Sequence, residues 1–511
     1  MKEFVVNKFF QKKHVGILLY STTLIFLIIQ LFIPPYIGLA NNGDFERNSQ
    51  KVGIGYPYNA WSEENYQDSF FRYMIPTFQT GKSHKTGFFS TAEFTFSVAK
   101  LFNGWLNIHP GQFDVRFVGF VLFLIYAFSI GIIFQYISKY HLVFSIGVGL
   151  FACFYFTDIL ITQFFNTFYG EATGFVFFVF ILAMSLLLLP KENATKQMPV
   201  VYLCVFAQMI ALFMHAFAKF QYVLFLVPLL LLFAIQLMSH AETAKKTERT
   251  VFQNVVLLCC AACASVFVFF IVTKIYSRTT SNRVSVGNII LKDMLALSET
   301  PEIHLTAMGF SYDEIHKIKP NISLTLFNNT ETYNFVLSDA GARFNRTNQI
   351  KIIAREPSVL LKLIKAKSKY LFAEDKMGTF QKGYGLPQFA RDTRFSLMTQ
   401  INNALFVKSF SFFAVTLLIS TAISLFYIVK SKKWAHYTPY HILACLNIMC
   451  VLQFATVLLG DSSHDAVKHF FFVNALFILI FYATVCMLLY KVIVLIGKKI
   501  NALRKEKSAI G

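Results

Sequence analysis

Four short polar clusters interrupt an otherwise apolar chain, and each lies at the edge of a long hydrophobic run. The first is Ala40-Asn41-Asn42-Gly43-Asp44-Phe45-Glu46-Arg47, directly after the first run. Two carboxylates and a guanidinium at a membrane exit are costly to place. Asn-Gly favours a tight turn, and Gly43 lets the backbone bend just before Asp44. Such a turn holds Asp44 at the mouth of any cavity between helices, as a general base or a metal ligand. The competing reading is a solvated loop tip with an internal pair between Asp44 and Arg47.

The second cluster, Asn166-Thr-Phe-Tyr-Gly-Glu171-Ala-Thr-Gly174, places Glu171 at the start of a long apolar helix. The helix dipole alone accounts for a carboxylate there. If the first four spans pack together, however, Asp44 and Glu171 converge. Two such carboxylates bind a divalent cation (Mg or Mn) or divide base and orienting roles. The third cluster is His215-Ala-Phe-Ala-Lys219-Phe-Gln221, and it puts a His and a Lys at the membrane edge. The fourth is Gly460-Asp461-Ser-Ser-His464-Asp465-Ala-Val-Lys468-His469, where helical spacing sets His464 and Asp465 near Lys468 and His469. Lysines and histidines at an apolar edge suit a lipid phosphate; for Lys219 and Lys468, snorkelling anchors are the alternative. A zinc pair of His464 and His469 lacks a third ligand nearby. Arg116, just inside the second span, needs a carboxylate, with Asp114 or Asp44 in reach.

The elements that must carry these residues are membrane helices. The chain has 511 residues, 55% hydrophobic and only 14% charged, where a soluble protein carries about a quarter charged residues. The net charge of +20 comes from basic residues beside the apolar runs. It therefore points to the anionic membrane surface, and no nucleic-acid motif is present. All eight cysteines lie in apolar runs as small hydrophobic residues, with no disulfide framework, and Cys259-Cys260-x-x-Cys263 reads the same way. The first run lacks a small-residue cleavage site and reads as an uncleaved helix.

Ten spans are expected, at about 15–37, 115–137, 142–161, 172–189, 199–215, 221–237, 252–276, 405–428, 439–459 and 470–496. Lys and Arg number eighteen in the segments on the N-terminal side of the membrane, against two in the short opposite connections. The positive-inside rule then places both termini in the cytoplasm, the protein being multi-pass in the cell membrane. Residues 1–276 form a seven-helix module with the outer loop 38–114, 277–404 an outer domain, and 405–511 a three-helix module. Within the outer loop, Trp61-Ser-Glu-Glu64 is followed by an apolar stretch from Phe88 to Leu106. Glu93 and Lys100 make that stretch interfacial or re-entrant, not spanning. In the outer domain, Pro357 to Phe372 forms a helix with Val359, Leu360, Leu363, Ile364 and Leu371 on one face. Lys362, Lys365, Lys367 and Lys369 lie elsewhere on it, so it either lies on the outer leaflet or packs on its own domain. Sequons at Asn321, Asn328 and Asn345 carry little weight.

Taken together, Ala40-Asn-Asn-Gly-Asp-Phe-x-Arg47, Phe168-Tyr-Gly-Glu171 and Gly460-Asp-x-x-x-Asp-x-x-Lys-His469 resemble bacterial multi-pass glycan-biosynthesis hexosyltransferases. Those proteins are similar to the GT-C superfamily of membrane glycosyltransferases. Leu297-Ser-Glu-Thr-Pro-Glu302 with Met308-Gly-Phe310 adds to the likeness, which spans most of the chain. Glu46, Ser462 and Phe470 depart from the pattern, and Glu46 leaves open which carboxylate beside Gly43 is catalytic. The resemblance implies an all-α polytopic fold with a larger external α-rich domain. It also implies transfer of a hexose from a polyprenyl-phosphate donor to a glycan acceptor outside the cytoplasm, with inversion. Asp44 matches the first-loop acid of such enzymes, as base or metal ligand, with Glu171 and Arg47 supporting it. Lys468, His469, Lys219 and Arg116 are the expected phosphate ligands, and Asp461, His464, Asp465 and His215 are further candidates.

The residues themselves ask for the same parts, because a polyprenyl phosphate leaves readily once held and the acceptor hydroxyl need only be oriented and deprotonated. A transporter or flippase of lipid-linked sugars is the rival class. Against it, no inverted repeat or broken pair of spans is visible, and the charges gather at one membrane face. A glycan polymerase or ligase would share most of these features.

Overall fold

A computed structural model describes residues 12–83, 90–106, 110–140, 142–189, 198–243, 280–323, 330–373, 377–406, 409–430, 437–460 and 466–510. Among them, nine helices are long and apolar enough to cross a membrane: His14–Phe32, Arg116–Ile137, Leu142–Thr162, Gly170–Leu187, Pro199–Ala216, Phe220–His240, Phe410–Lys430, Pro439–Gly460 and Val467–Gly497. They match nine of the ten expected spans; the other, 252–276, lies outside the described residues. Helices are the economical form for such runs, since each satisfies its own backbone where lipid offers no partner.

In chain order the helices used below are α1 (Lys12–Phe32), α2 (Phe45–Ser49), α3 (Glu63–Ser69), α4 (Ala92–Leu106), α5 (Arg116–Ile137), α6 (Leu142–Phe156), α7 (Ile159–Thr162) and α8 (Gly170–Leu187). They continue as α9 (Met198–Ala216), α10 (Leu226–Thr243), α11 (Thr280–Asn288), α12 (Pro301–Ala307), α13 (Tyr312–Ile318), α14 (Thr330–Leu337), α15 (Arg346–Arg355), α16 (Pro357–Ser368), α17 (Leu397–Leu405), α18 (Phe410–Lys430), α19 (Pro439–Gly460) and α20 (Ala466–Ile510). Helix α5 packs on α8 and α1, α9 packs on α8, and α18, α19 and α20 pack on one another.

Between α1 and α5 the chain forms more than a loop. Strands β1 (Ile54–Gly55), β2 (Thr77–Thr80) and β3 (Gln112–Asp114) make a small antiparallel sheet with Ile54 opposite Thr80 and Phe78 opposite Phe113. Phe78 and Phe113 are buried, and both rings meet Phe168 in the connection before α8. Helix α4 turns its charges inward: Glu93 pairs with Lys51 at 2.8 Å, and Lys100 Nζ donates to the Val52 carbonyl at 2.7 Å. Phe94, Leu101 and Trp105 are exposed on its other side. That apolar outer side fits the expected interfacial helix.

Two readings of α16 were open, and the packing one holds. Val359 and Leu363 are buried, Lys362 pairs with Glu299 at 2.7 Å, and buried Lys367 lies 3.3 Å from Asp293. Lys367 Nζ also donates to the Leu458 carbonyl at 2.8 Å, beside Gln349 Nε2, which donates to the Leu459 carbonyl at 2.7 Å. Arg346 reaches the same Leu459 carbonyl. Together α15 and α16 satisfy the last carbonyls of α19, where a helix end otherwise leaves acceptors unpaired and favours cations.

Close approach at two glycines fixes the end of the bundle that matters below. A Cβ on Gly170 would lie 2.5 Å from the Ala218 carbonyl oxygen, and one on Gly174 would lie 2.4 Å from the Tyr222 ring. Only bare Cα atoms in the first turns of α8 let the 216–222 connection rest against it. On the other side, Asn166 Nδ2 donates to the carbonyls of Leu31 (3.0 Å) and Ile37 (2.7 Å), tying the end of α1 to the approach to α8.

Candidate functional site

The turn carrying Asp44 is built by its own asparagines. Asn41 Oδ1 accepts from the amides of Gly43 (2.8 Å) and Phe45 (3.1 Å), and Asn42 Oδ1 accepts from the Asp44 amide at 3.3 Å. Gly43 takes φ +101°, a conformation that strains other residues. Asp44 occupies the position before α2 but makes no capping bond with its side chain. Its carboxylate is instead shared between Arg47, 2.8 Å from Oδ1, and Lys468, whose Nζ donates to Oδ2. Lys468 comes from the first turn of α20 and is buried, whereas the Asp44 side chain keeps 28% exposure.

Tyr169 welds these parts together. Its hydroxyl lies 2.9 Å from the Ala40 carbonyl and accepts from the Asn42 amide at 2.9 Å, and the Lys468 ammonium stands 4.9 Å above its ring. Two residues on, Glu171 lies buried in the first turn of α8. It accepts from Lys219 Nζ at 2.7 Å. Lys219 also lies 2.9 Å from His469 Nδ1, and Gln221 Nε2 lies 3.0 Å from the same nitrogen. Both of those partners are donors, so Nδ1 accepts and the ring proton belongs on Nε2.

Five charged groups from four stretches of chain thus meet at one end of the bundle: Asp44, Arg47, Glu171, Lys219 and Lys468. Among the described residues of the cluster, three are cations and two are carboxylates. Burial opposes ionisation of Asp44, but Arg47, Lys468 and Lys219 outweigh it and hold the carboxyl well below the usual carboxylate range. A carboxylate so held is a fixed anion and a weak base for as long as its cations stay in place. Asp44 and Glu171 are each turned onto a lysine. Among the described residues no group of three or more His, Cys, Asp or Glu is arranged to hold a metal. A divalent cation between them would have to take both carboxylates from their lysines.

The other expected residues go elsewhere. Arg116 belongs to Asp114, with Nε 2.9 Å from Oδ2, and its guanidinium stands 4.7 Å over the Tyr36 ring. Of its two expected partners the nearer in sequence holds it, and among the described residues it forms no ion pair with Asp44 or Glu171. His215 stands in the last turn of α9. It is buried, stacked on Tyr222 at 5.1 Å, with Nδ1 2.7 Å from the Gly174 carbonyl. It packs beneath the shelf that delivers Lys219. Glu46 accepts from Trp61 Nε1 at 2.7 Å. Asp461, His464 and Asp465 lie outside the described residues. Tyr169 and Gln221 were missed as functional candidates. The only available signal was their place inside stretches already marked by Glu171 and Lys219.

Comparison with curated proteins and with solved structures returned no match. The family model of the YfdI N-terminal transmembrane domain matches residues 6–508. Almost the whole chain is covered, and the protein belongs to the YfdI N-terminal transmembrane domain family.

Proposed function

We propose that the protein is a membrane glycosyltransferase of the GT-C type, moving a hexose from a polyprenyl-phosphate donor to a glycan acceptor on the outer face of the membrane. One observation carries this reading: the ion pair of Asp44 with Lys468 sits beside that of Glu171 with Lys219, so two carboxylates and the lysines that hold them gather at one end of the membrane helices. Membership of a transmembrane family that fits a glycan-modifying protein supports it.

In this reading the donor phosphate binds Lys468, Lys219 and Arg47. Drawing those cations onto phosphate loosens their hold on Asp44, so donor binding itself raises the basicity of the carboxylate. The acceptor hydroxyl oxygen then attacks the anomeric carbon, its proton passes to Asp44, and the carbon–oxygen bond to phosphate breaks. Polyprenyl phosphate departs with the bonding pair, stabilised by the lysines, and the anomeric configuration inverts. Glu171 keeps Lys219 in place, and Gln221 and Lys219 fix the His469 ring with its proton on Nε2.

The test is transfer of a radiolabelled hexose from a polyprenyl-phosphate donor to a lipid-linked or free glycan by proteoliposomes holding the pure protein. Labelled acceptor product is the expected result. Movement of the donor across the bilayer without transfer would instead make the protein a transporter, and transfer of a preassembled oligosaccharide would make it a polymerase or ligase.

A further inference from the structure

A cavity of about 310 Å³ lies between α5, α6, α8, α19 and α20, at the opposite end of the bundle from Asp44 and Glu171. None of the charged cluster lines it. A single ordered water needs only about 10–15 Å³ in the same measure, so the space is many times too large for one. Its walls are almost wholly carbon, which gives water few partners. Phe144 and Val148 on α6 face Ala483 and Met487 on α20 across it, and all four are half-buried. The cavity therefore opens sideways, between two spans, toward the place of the bilayer. Rings bridge α6 and α20 on either side of the opening: Phe151 stacks on Tyr482 at 4.4 Å, and Phe144 meets Tyr490 at 5.2 Å.

The rim carries a different chemistry. Lys491 lines the cavity with Tyr140, Tyr440 and Tyr490 beside it. Its ammonium stands 4.6 Å over the Tyr427 ring and 5.9 Å over the Tyr440 ring, and among the described residues no carboxylate pairs with it. An ammonium without a counter-ion at the edge of an apolar space calls for an anion. Lys430 closes α18, and Lys139 follows α5 by two residues at the same end, which adds to the attraction for anionic lipid.

We propose that this cavity is a lipid site, taking one acyl chain of an anionic glycerophospholipid whose phosphate is bound at the rim by Lys491 and the tyrosine hydroxyls. A hydrocarbon chain restores the contacts that an empty void forfeits along its whole lining. The bound lipid fills the seam between α6 and α20. The site is independent of glycosyl transfer and lies away from the residues assigned to it.

Native mass spectrometry of the full chain in detergent, titrated with palmitoyl-oleoyl phosphatidylglycerol, tests the proposal. One retained lipid is expected on the wild type, with weaker retention of the zwitterionic phosphatidylcholine analogue. Lys491→Gln should weaken retention roughly tenfold or more, the weight of one charge-assisted hydrogen bond. Ala483→Trp, which fills the cavity, should abolish it; if that variant does not fold, Lys491→Gln decides alone. Equal retention by the wild type and Lys491→Gln, or no retained lipid on the wild type, overturns the proposal. Displacement of phosphatidylglycerol by equimolar undecaprenyl phosphate overturns it too, in favour of a second carrier-lipid site.

Discussion

Lys468 and Asp44 are 424 positions apart in sequence and share one ion pair, the lysine buried and the aspartate open to solvent on one side. Every other contact of the cluster is arranged around that asymmetry. The buried cation is fixed by α20, and the exposed carboxylate is the side an incoming substrate meets first.

Asp44→Asn keeps the shape of that carboxylate and removes its charge and basicity. Hexose transfer should fall by roughly 10²–10⁴-fold, the usual weight of a general base, with unchanged membrane insertion. Glu46→Gln should stay near wild type, since Glu46 is turned onto Trp61. The reverse pattern in a transfer assay would move the role to Glu46, and loss from neither would remove the enzyme reading.

Lys468→Met should weaken donor binding by about 1.5–3 kcal/mol, the range for a hydrogen bond to a charged group, while acceptor affinity changes little. Arg116→Gln is the control. Its guanidinium pairs with Asp114 and is not among the cations held around Asp44, so donor affinity should not move. Isothermal titration with a short-chain polyprenyl phosphate separates the two.

The pH dependence follows from two depressed carboxyls. Arg47, Lys468 and Lys219 overcome the effect of burial and hold Asp44 below its unfolded value. Glu356, also opposed by burial, is brought down to about 2 by bonds from Ser298, the Glu299 amide, His304 and Ser358. A depressed carboxyl contributes its stability above the unfolded value, roughly 3.9–4.3, and loses it as pH falls through the folded one. Thermal unfolding should therefore show constant Asp44→Asn and Glu356→Gln differences from pH 8 to 5. Both differences should shrink below about pH 4. A difference that already collapses near pH 6 would contradict this.

Gly174→Ala would drive a Cβ to 2.4 Å from the Tyr222 ring, which is locked in a stack with His215 and Phe225. Overpacking of this kind costs about 1–3 kcal/mol. The variant should melt earlier and, because Lys219 rides on the displaced connection, lose transfer activity beyond what its stability predicts.

Orientation is open to direct labelling. Ala307 is exposed at the end of α12, so Ala307→Cys should react with an impermeant maleimide in intact cells. Labelling only after lysis would reverse the assigned sides. Ser311 is a poorer site, because its hydroxyl caps α13 in a reciprocal pair with Glu314.

Long apolar runs and edge charges were the legible part of this chain. Nine spans fall where hydropathy puts them, and Asp44, Glu171, Lys219, Lys468 and His469 come together from four separate stretches. The sheet was not legible, because strands of two to four residues leave no alternation to read. For His215 the sequence shows only its place at the end of a span, and tertiary packing adds the aromatic stack that encloses it. Tyr169 gave no signal of its own in a chain with 23 tyrosines and 60 phenylalanines. Arg116 had two carboxylates in reach by sequence, and only geometry chose between them.

The grip of α15 and α16 on the last carbonyls of α19 has a mechanical meaning. Only eight positions separate Gly460, the end of α19, from Lys468. Arg346, Gln349 and Lys367 act on the end of α19 as fingers on a lever. A displacement of α15 or α16 therefore pulls on the end of α19, close in sequence to the ammonium paired with Asp44.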